Sequence, residues 1–306
     1  IWPRGNALDL SGLLERDEVL GTRLVANSSK TIKGVLNDYR TDIAINSHGF
    51  RSPEYSPESE PGLLRIALMG DSEVFGVGVE DNEMLNAVME ERLREAGFAD
   101  CQVLNFAIPG TGTVLQSKLL ERTVLDWDVD AVIFLVTVAN DLSDNLRFVG
   151  RGESAETDGP EPRVNPIWSR IRQLNLYTLA RFKVLPHLPG LLVPRASALG
   201  ESPNSVAVWY ANDDLKDDFA LMADALLESR DACASRGVKL YVSPIPSRAQ
   251  FVPSVRRILR NTLDPNLLAV IDSDPERPQR MLREFSREHD ISYIEVLDEF
   301  TELAEA

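Results

Sequence analysis

Cysteine is nearly absent from this 306-residue chain. Cys101 and Cys233 stand alone, without the spacing of a metal site or a redox pair, and both read as small core residues. Long apolar runs are missing as well: no stretch approaches the roughly 18 residues that suggest a membrane span, and no signal peptide is visible. The chain opens at Ile1 rather than Met, which leaves a removed signal or anchor as an expectation. Basic residues are scarce, 32 Lys and Arg against 48 Asp and Glu, giving a formal charge of −16. Such a surface repels phosphate backbones and anionic headgroups, so nucleic acid is not an expected partner; the same balance also suits an ordinary soluble protein. Histidine is limited to His48, His187 and His289. No internal repeat or low-complexity tract stands out.

What is present is enough apolar material, 43 % of the residues, for one large α/β domain with a small extension. Residues 1–62 carry weak periodicity, with β-like runs at Asp42 to Asn46 and around Gly49-Phe50-Arg51, and read as an N-terminal extension packing on the core. Pro53 to Pro61 reads as a linker or surface loop. From Leu63 the pattern alternates. Strands are expected at Arg65 to Met69, Val103 to Ala107, Ala131 to Val138, Lys239 to Ser243 and Ile291 to Leu297. Helices are expected at Glu83 to Ala96, Leu115 to Leu125, Asp217 to Arg236 and Pro278 to His289. Strand and helix in turn predict a parallel sheet covered on both faces: a three-layer α/β sandwich with a central parallel sheet of about five strands. The alternation breaks at about 150–205, which reads as an irregular insertion over the active edge, helical in part around Ile167 to Phe182.

Ligands of parallel α/β sheets sit outside the carboxyl ends of the strands, so the turns that follow them carry the chemistry. The first is Gly70-Asp71-Ser72. A Ser between a strand end and a helix start presents its hydroxyl to the cleft beside free backbone N–H groups, although such a tripeptide is more often a glycine turn with a capping serine. The second, Pro109-Gly110-Thr111-Gly112-Thr113, has a glycine whose N–H could face an oxyanion, or is a plain Pro-Gly turn. The third, Ala139-Asn140-Asp141, offers an uncharged amide donor or a helix cap. After the fourth strand, Arg248 and Gln250 are candidate substrate contacts for an anionic or sugar-like group; local pairing of Arg248 with carboxylates is the alternative.

Together these turns, in order at strand ends, resemble the SGNH/GDSL hydrolase superfamily from Ile45 to Phe300. The strings Ile45-Asn46-Ser47-His48-Gly49-Phe50-Arg51, Gly70 to Val79 and Ala139-Asn140-Asp141-Leu142-Ser143-Asp144-Asn145 look like a bacterial branch often tethered outside the cytoplasm, so an extracytoplasmic location is expected. The resemblance implies a flavodoxin-like sheet, Ser72 as nucleophile, and an oxyanion hole formed by the Ser72 N–H, Gly110 and Asn140. Asp71 is expected to anchor the turn, and Glu73, where the branch has an apolar or hydroxyl residue, to face solvent.

The leading expectation is a serine esterase working through an acyl-enzyme on a small-molecule or glycan ester, with no metal or organic cofactor. Acyl transfer to a carbohydrate hydroxyl and a catalytically silent binding module are the alternatives. A Ser needs a general base, usually His. His48 lies in the extension, His187 in the insertion, and His289 before the last strand, at the edge of the sheet away from Ser72. The family's Asp-x-x-His would follow Asp298-Glu299-Phe300, so the native chain is expected to continue past Ala306 and supply it.

Overall fold

The computed structural model describes residues 9–33, 39–153, 206, 208–210, 215–252, 255 and 265–305. The break at about 150–205, its expected helix and His187 fall almost wholly outside them. Two antiparallel pairs open the chain: β1 (Leu14–Glu15) with β2 (Arg23–Leu24), and β3 (Ser29–Lys33) with β4 (Arg40–Ala44). Only alternate residues of β3 and β4 are buried, as suits a hairpin with one face on a core. The run Gly49-Phe50-Arg51, expected as β-like, is a turn and bend.

Five parallel strands then form one sheet in the order β6 (Cys101–Asn105), β5 (Leu64–Met69), β7 (Ala131–Thr137), β8 (Lys239–Ile245) and β9 (Ser292–Tyr293). In chain order this is 2-1-3-4-5, the flavodoxin-like arrangement, with its topological switch between β5 and β7. All seven residues of β7 are buried, because helices cover both faces of a parallel sheet. The helices are α1 (Ser72–Phe75), α2 (Leu85–Glu95), α3 (Thr113–Arg122), α4 (Asp141–Glu153), α5 (Leu215–Ser235), α6 (Arg248–Phe251), α7 (Pro265–Ser273), α8 (Arg277–Glu288) and α9 (Leu297–Glu305). Right-handed crossovers put α2 on one face of the sheet and α3, α5 and α8 on the other.

One buried apolar cluster joins the sheet to Leu10, Leu13, Leu24, Ile32, Ile43, Ile45 and Phe50 of the N-terminal segment. Two polar anchors reinforce the join. Arg65, fully buried in β5, donates to Ser56 O at 2.6 Å, Pro57 O at 2.8 Å and Trp127 O at 2.6 Å. The buried Glu90 carboxylate of α2 accepts from Tyr55 Oη at 3.0 Å and from Val103 N at 2.8 Å. The Pro53–Pro61 stretch is thus a fastened surface loop rather than a linker.

The fourth strand runs two residues further than expected, to Ile245, and the helix expected at Leu115 to Leu125 spans Thr113–Arg122; the second and last strands also depart from their apolar runs. The second strand lies two residues earlier than its apolar run, because Phe106, Ala107 and Ile108 are buried by neighbours outside the ladder, Phe50 and Trp127 among them. The last strand shrinks to two residues, since Glu295 turns the backbone by accepting from Val296 N and Leu297 N, and α9 begins at once.

Phe134 is fully buried at the centre of β7. Phe134→Ala is expected to cost about 3–5 kcal/mol in urea unfolding, transfer and cavity terms together; a loss below about 1 kcal/mol would contradict the central place of β7.

Candidate active site

The ends of β5, β6 and β7 converge at the switch point. Asp71 is the N-cap of α1 and accepts from Glu73 N at 3.0 Å, so Ser72 opens a single helical turn. Ser72 is half-buried and Glu73 is exposed. Among the described residues the Ser72 hydroxyl, the Ser72 N–H and the Gly110 N–H have no hydrogen-bond partner. Gly110 has a φ of +78°, a conformation that favours glycine, and lies exposed in the second turn.

Asp71 does more than cap. Its fully buried carboxylate also accepts from Thr137 Oγ1 at 2.9 Å and from Asn140 Nδ2 at 2.8 Å, tying the end of β5 to that of β7. Burial pushes this carboxyl up, while the Asn140, Glu73 and Thr137 donors oppose the rise. The second N–H of Asn140 goes to Asp144 Oδ2 at 2.8 Å, one turn along α4. Asn140 therefore lies within one side chain of the Ser72 turn, held by a carboxylate on each N–H.

The second and third turns are laced in the same way. Asn145 donates to Thr113 Oγ1 at 2.7 Å and accepts from Val114 N at 3.0 Å, satisfying the start of α3 from a neighbouring helix. This needs close approach: a Cβ on Gly112 would stand 2.4 Å from Asn145 Oδ1 and 2.8 Å from Asp141 O. The first and second turns meet through Ile108 N, donating to Gly70 O at 3.2 Å. Above the end of β7, the buried Trp209 indole donates to Val138 O at 2.8 Å.

The fourth strand's turn is held by side chains of its own. Gln250 is buried and its amide donates to Pro275 O and to Gln279 Oε1, both at 2.7 Å, while its oxygen accepts from Ser247 N at 2.9 Å. Both amide hydrogens are engaged within the fold, where Gln250 caps α6 and braces it against α8. Arg248 is exposed at the first position of α6.

Neither described histidine bonds to Ser72. His48 packs edge-on against Trp127, ring centroids 4.8 Å apart, on the connection into β7. His289 caps the end of α8, against Phe285 and just before β9. Among the described residues no group of His, Cys, Asp and Glu could hold a metal ion, and no helix is long and apolar enough to cross a membrane.

No protein-family model and no curated protein matches the sequence. Similar solved structures include TesA, at 12 % identity and TM-score 0.36 over 75 % of this chain and 76 % of that one. AlinE4, an SGNH-hydrolase family esterase, is similar at 13 % identity and TM-score 0.37 over 77 % of each chain. The acetyl xylan esterase AlAXEase is similar at 12 % identity and TM-score 0.38, over 78 % of this chain and 80 % of that one. At TM-scores below 0.5 these likenesses only stand beside the strand order, which by itself gives the fold.

Asp141 and Asn145 stand in the string that resembles the family and Thr137 just before it, but nothing local in the sequence marks a role for any of the three. Asp141 is fully buried; it accepts from Thr137 N at 2.9 Å and its other oxygen has no partner among the described residues. Burial first, then the charges of Asp71 and Asp144, keep its proton on well above the usual carboxylate range. The unfolded chain releases that proton near the ordinary value of 3.8. The stability contributed by the raised carboxyl is therefore fully present below about pH 4 and is lost as pH rises toward its folded value. Asp141→Asn is expected to flatten this decline, making the variant's advantage over wild type larger at pH 7 than at pH 4 in urea unfolding. An equal difference at both pH values would show that Asp141 is ionised in the fold.

Proposed function

We propose that this chain is a serine ester hydrolase of the SGNH type, with Ser72 as the nucleophile. The observation that carries the reading is the placement of a half-buried Ser72 hydroxyl, unbonded among the described residues, at the switch point, beside an amide, Asn140, that is tied to the same turn through Asp71. In α/β sheets of this order the ligand crevice lies there.

The reaction follows from these groups. Ser72 Oγ attacks the ester carbonyl carbon and its proton passes to a general base that the described residues do not supply. Negative charge then develops on the carbonyl oxygen, and the N–H groups of Ser72 and Gly110 are unspent donors for it. Asn140 joins them by exchanging Asp144 for the oxyanion while keeping Asp71, a change of partner at one N–H that leaves the amide anchored at the other. Collapse expels the alcohol, which takes the proton back from the base, and leaves an acyl-enzyme on Ser72, which water cleaves.

Incubating the full-length chain with a fluorophosphonate and mapping the adduct tests this reading. The expected adduct is on Ser72, absent from Ser72→Ala, with that variant folded and inactive on p-nitrophenyl acetate. Asn140→Ala should lower turnover roughly 10²- to 10³-fold, the cost of one oxyanion donor. Undiminished turnover in Ser72→Ala would overturn the proposal, and acyl transfer to added oligosaccharide faster than to water would redirect it to carbohydrate acylation.

A further inference from the structure

A four-residue helix does not hold itself. Nucleating one turn fixes several residues for a single internal hydrogen bond, so α1 needs partners from elsewhere if Ser72 is to keep one position. Its amino end has Asp71. Its carbonyls can be followed one by one. Asp71 O accepts from Phe75 N at 2.9 Å, Ser72 O from Val77 N at 3.3 Å and Glu73 O from Gly76 N at 3.3 Å. Gly76 O takes one more backbone donor, Val79 N at 3.3 Å, and side chains supply the rest. Val74 O accepts from Asn105 Nδ2 at 2.9 Å. Phe75 O and Gly76 O both accept from Arg51 Nη1, at 3.3 and 2.6 Å.

Arg51 belongs to the N-terminal segment, 24 and 25 residues before the carbonyls it binds. It is 2 % exposed, and every nitrogen of its guanidinium is used. Nη2 donates to Val79 O at 2.9 Å and to Asp81 Oδ1 at 2.7 Å, Nε donates to Asp81 Oδ1 at 3.1 Å, and the group lies 5.7 Å from the centre of the Phe75 ring. A fixed planar fork is what permits one side chain to hold three carbonyls and a carboxylate at once, and lysine cannot reproduce it. A permanent positive charge buried this deeply is costly to bury, and an apolar residue of similar volume would often stabilise a core as well or better. Here the charge lies at the carboxyl end of the very turn whose amino end carries Ser72, about one helical pitch, roughly 5 Å, further along the axis.

We propose that Arg51 is a positioning residue for the nucleophile: its guanidinium clamps the carbonyl end of the Ser72 turn and so fixes the orientation of the Ser72 hydroxyl and N–H toward the cleft. This rests on Ser72 being the nucleophile, and it gives the N-terminal segment a part in catalysis without contact with substrate.

The test uses the full-length chain and three variants, Arg51→Lys, Arg51→Ala and Asp81→Asn. The measurements are urea unfolding, kcat and KM on p-nitrophenyl acetate, the rate of Ser72 labelling by a fluorophosphonate, and amide hydrogen exchange in the peptide spanning Ser72 to Val79. Arg51→Lys should remain folded, lose roughly 10- to 100-fold in kcat and in labelling rate, as small misplacements of a reacting group do, and keep KM within about twofold. Exchange in the peptide should quicken while exchange in β7 does not. Methylguanidinium at millimolar concentration should restore part of the kcat of Arg51→Ala and none of that of Ser72→Ala. If Arg51→Ala fails to fold, Asp81→Asn, at an exposed partner of the clamp, should still lower kcat several-fold with an unchanged unfolding midpoint. Folded Arg51 or Asp81 variants with wild-type kcat, labelling and exchange would overturn the clamp. Absence of labelling at Ser72 in the wild type would overturn the nucleophile instead, with the exchange measurement still deciding whether Arg51 holds the turn.

Discussion

The buried carboxylate of Asp71 is the interaction on which the rest of the site depends. It accepts from the backbone of its own turn and from two side chains, Thr137 and Asn140, that lie at or just after the end of a different strand. Sheet hydrogen bonds fix β5 and β7 as neighbours but leave the turns beyond them free to diverge. One carboxylate with three donors closes that gap, and burial makes each of those bonds matter, because a buried acceptor left unpaired is costly. A second buried carboxyl, Asp141, lies within reach of the same Thr137, and two adjacent negative charges there would repel. Burial pushes both carboxyls up, that of Asp141 further, because Asp71 has three donors to oppose the rise and Asp141 has the charges of Asp71 and Asp144 beside it.

Around this hub each turn is held by groups from another. Asn145 of α4 caps α3, Asn105 at the end of β6 holds a carbonyl of α1, and Arg51 holds the next two. The arrangement explains why the N-terminal segment shares one apolar core with the sheet instead of standing apart. It also assigns different duties to polar residues of the same type. Asn105 and Asn145 have their amides committed to the fold, whereas Asn140 is half-exposed and gives its two N–H groups to two different carboxylates.

Much of the fold was legible because a parallel sheet writes itself as alternating apolar runs and helical periods, and the turns at strand ends could be picked out from Ser72, Gly110 and Asn140. The hidden parts are pairings across long separations. Asp71 and Thr137 are 66 residues apart, and Gln250 meets Gln279 from 29 residues away. Arg51 sat in a string that resembled a family motif, yet nothing local marks a guanidinium that reaches carbonyls beyond residue 70. Apolar runs also overstate strands: Phe106 to Ile108 are as buried as any ladder residue, but Phe106 packs against aromatic side chains of other segments.

The central claim is that the Ser72 turn is built in advance to receive an oxyanion between the first, second and third turns. A crystal structure of the full-length chain carrying a phosphonate adduct tests it most directly. The account predicts phosphorus bonded to Ser72 Oγ, one phosphonyl oxygen within hydrogen-bond distance of Ser72 N, Gly110 N and Asn140 Nδ2, Asp144 turned away, and the Asp71 and Arg51 bonds unchanged. An adduct on another residue, or a phosphonyl oxygen pointing away from Asn140 with Asp144 still in place, would contradict it.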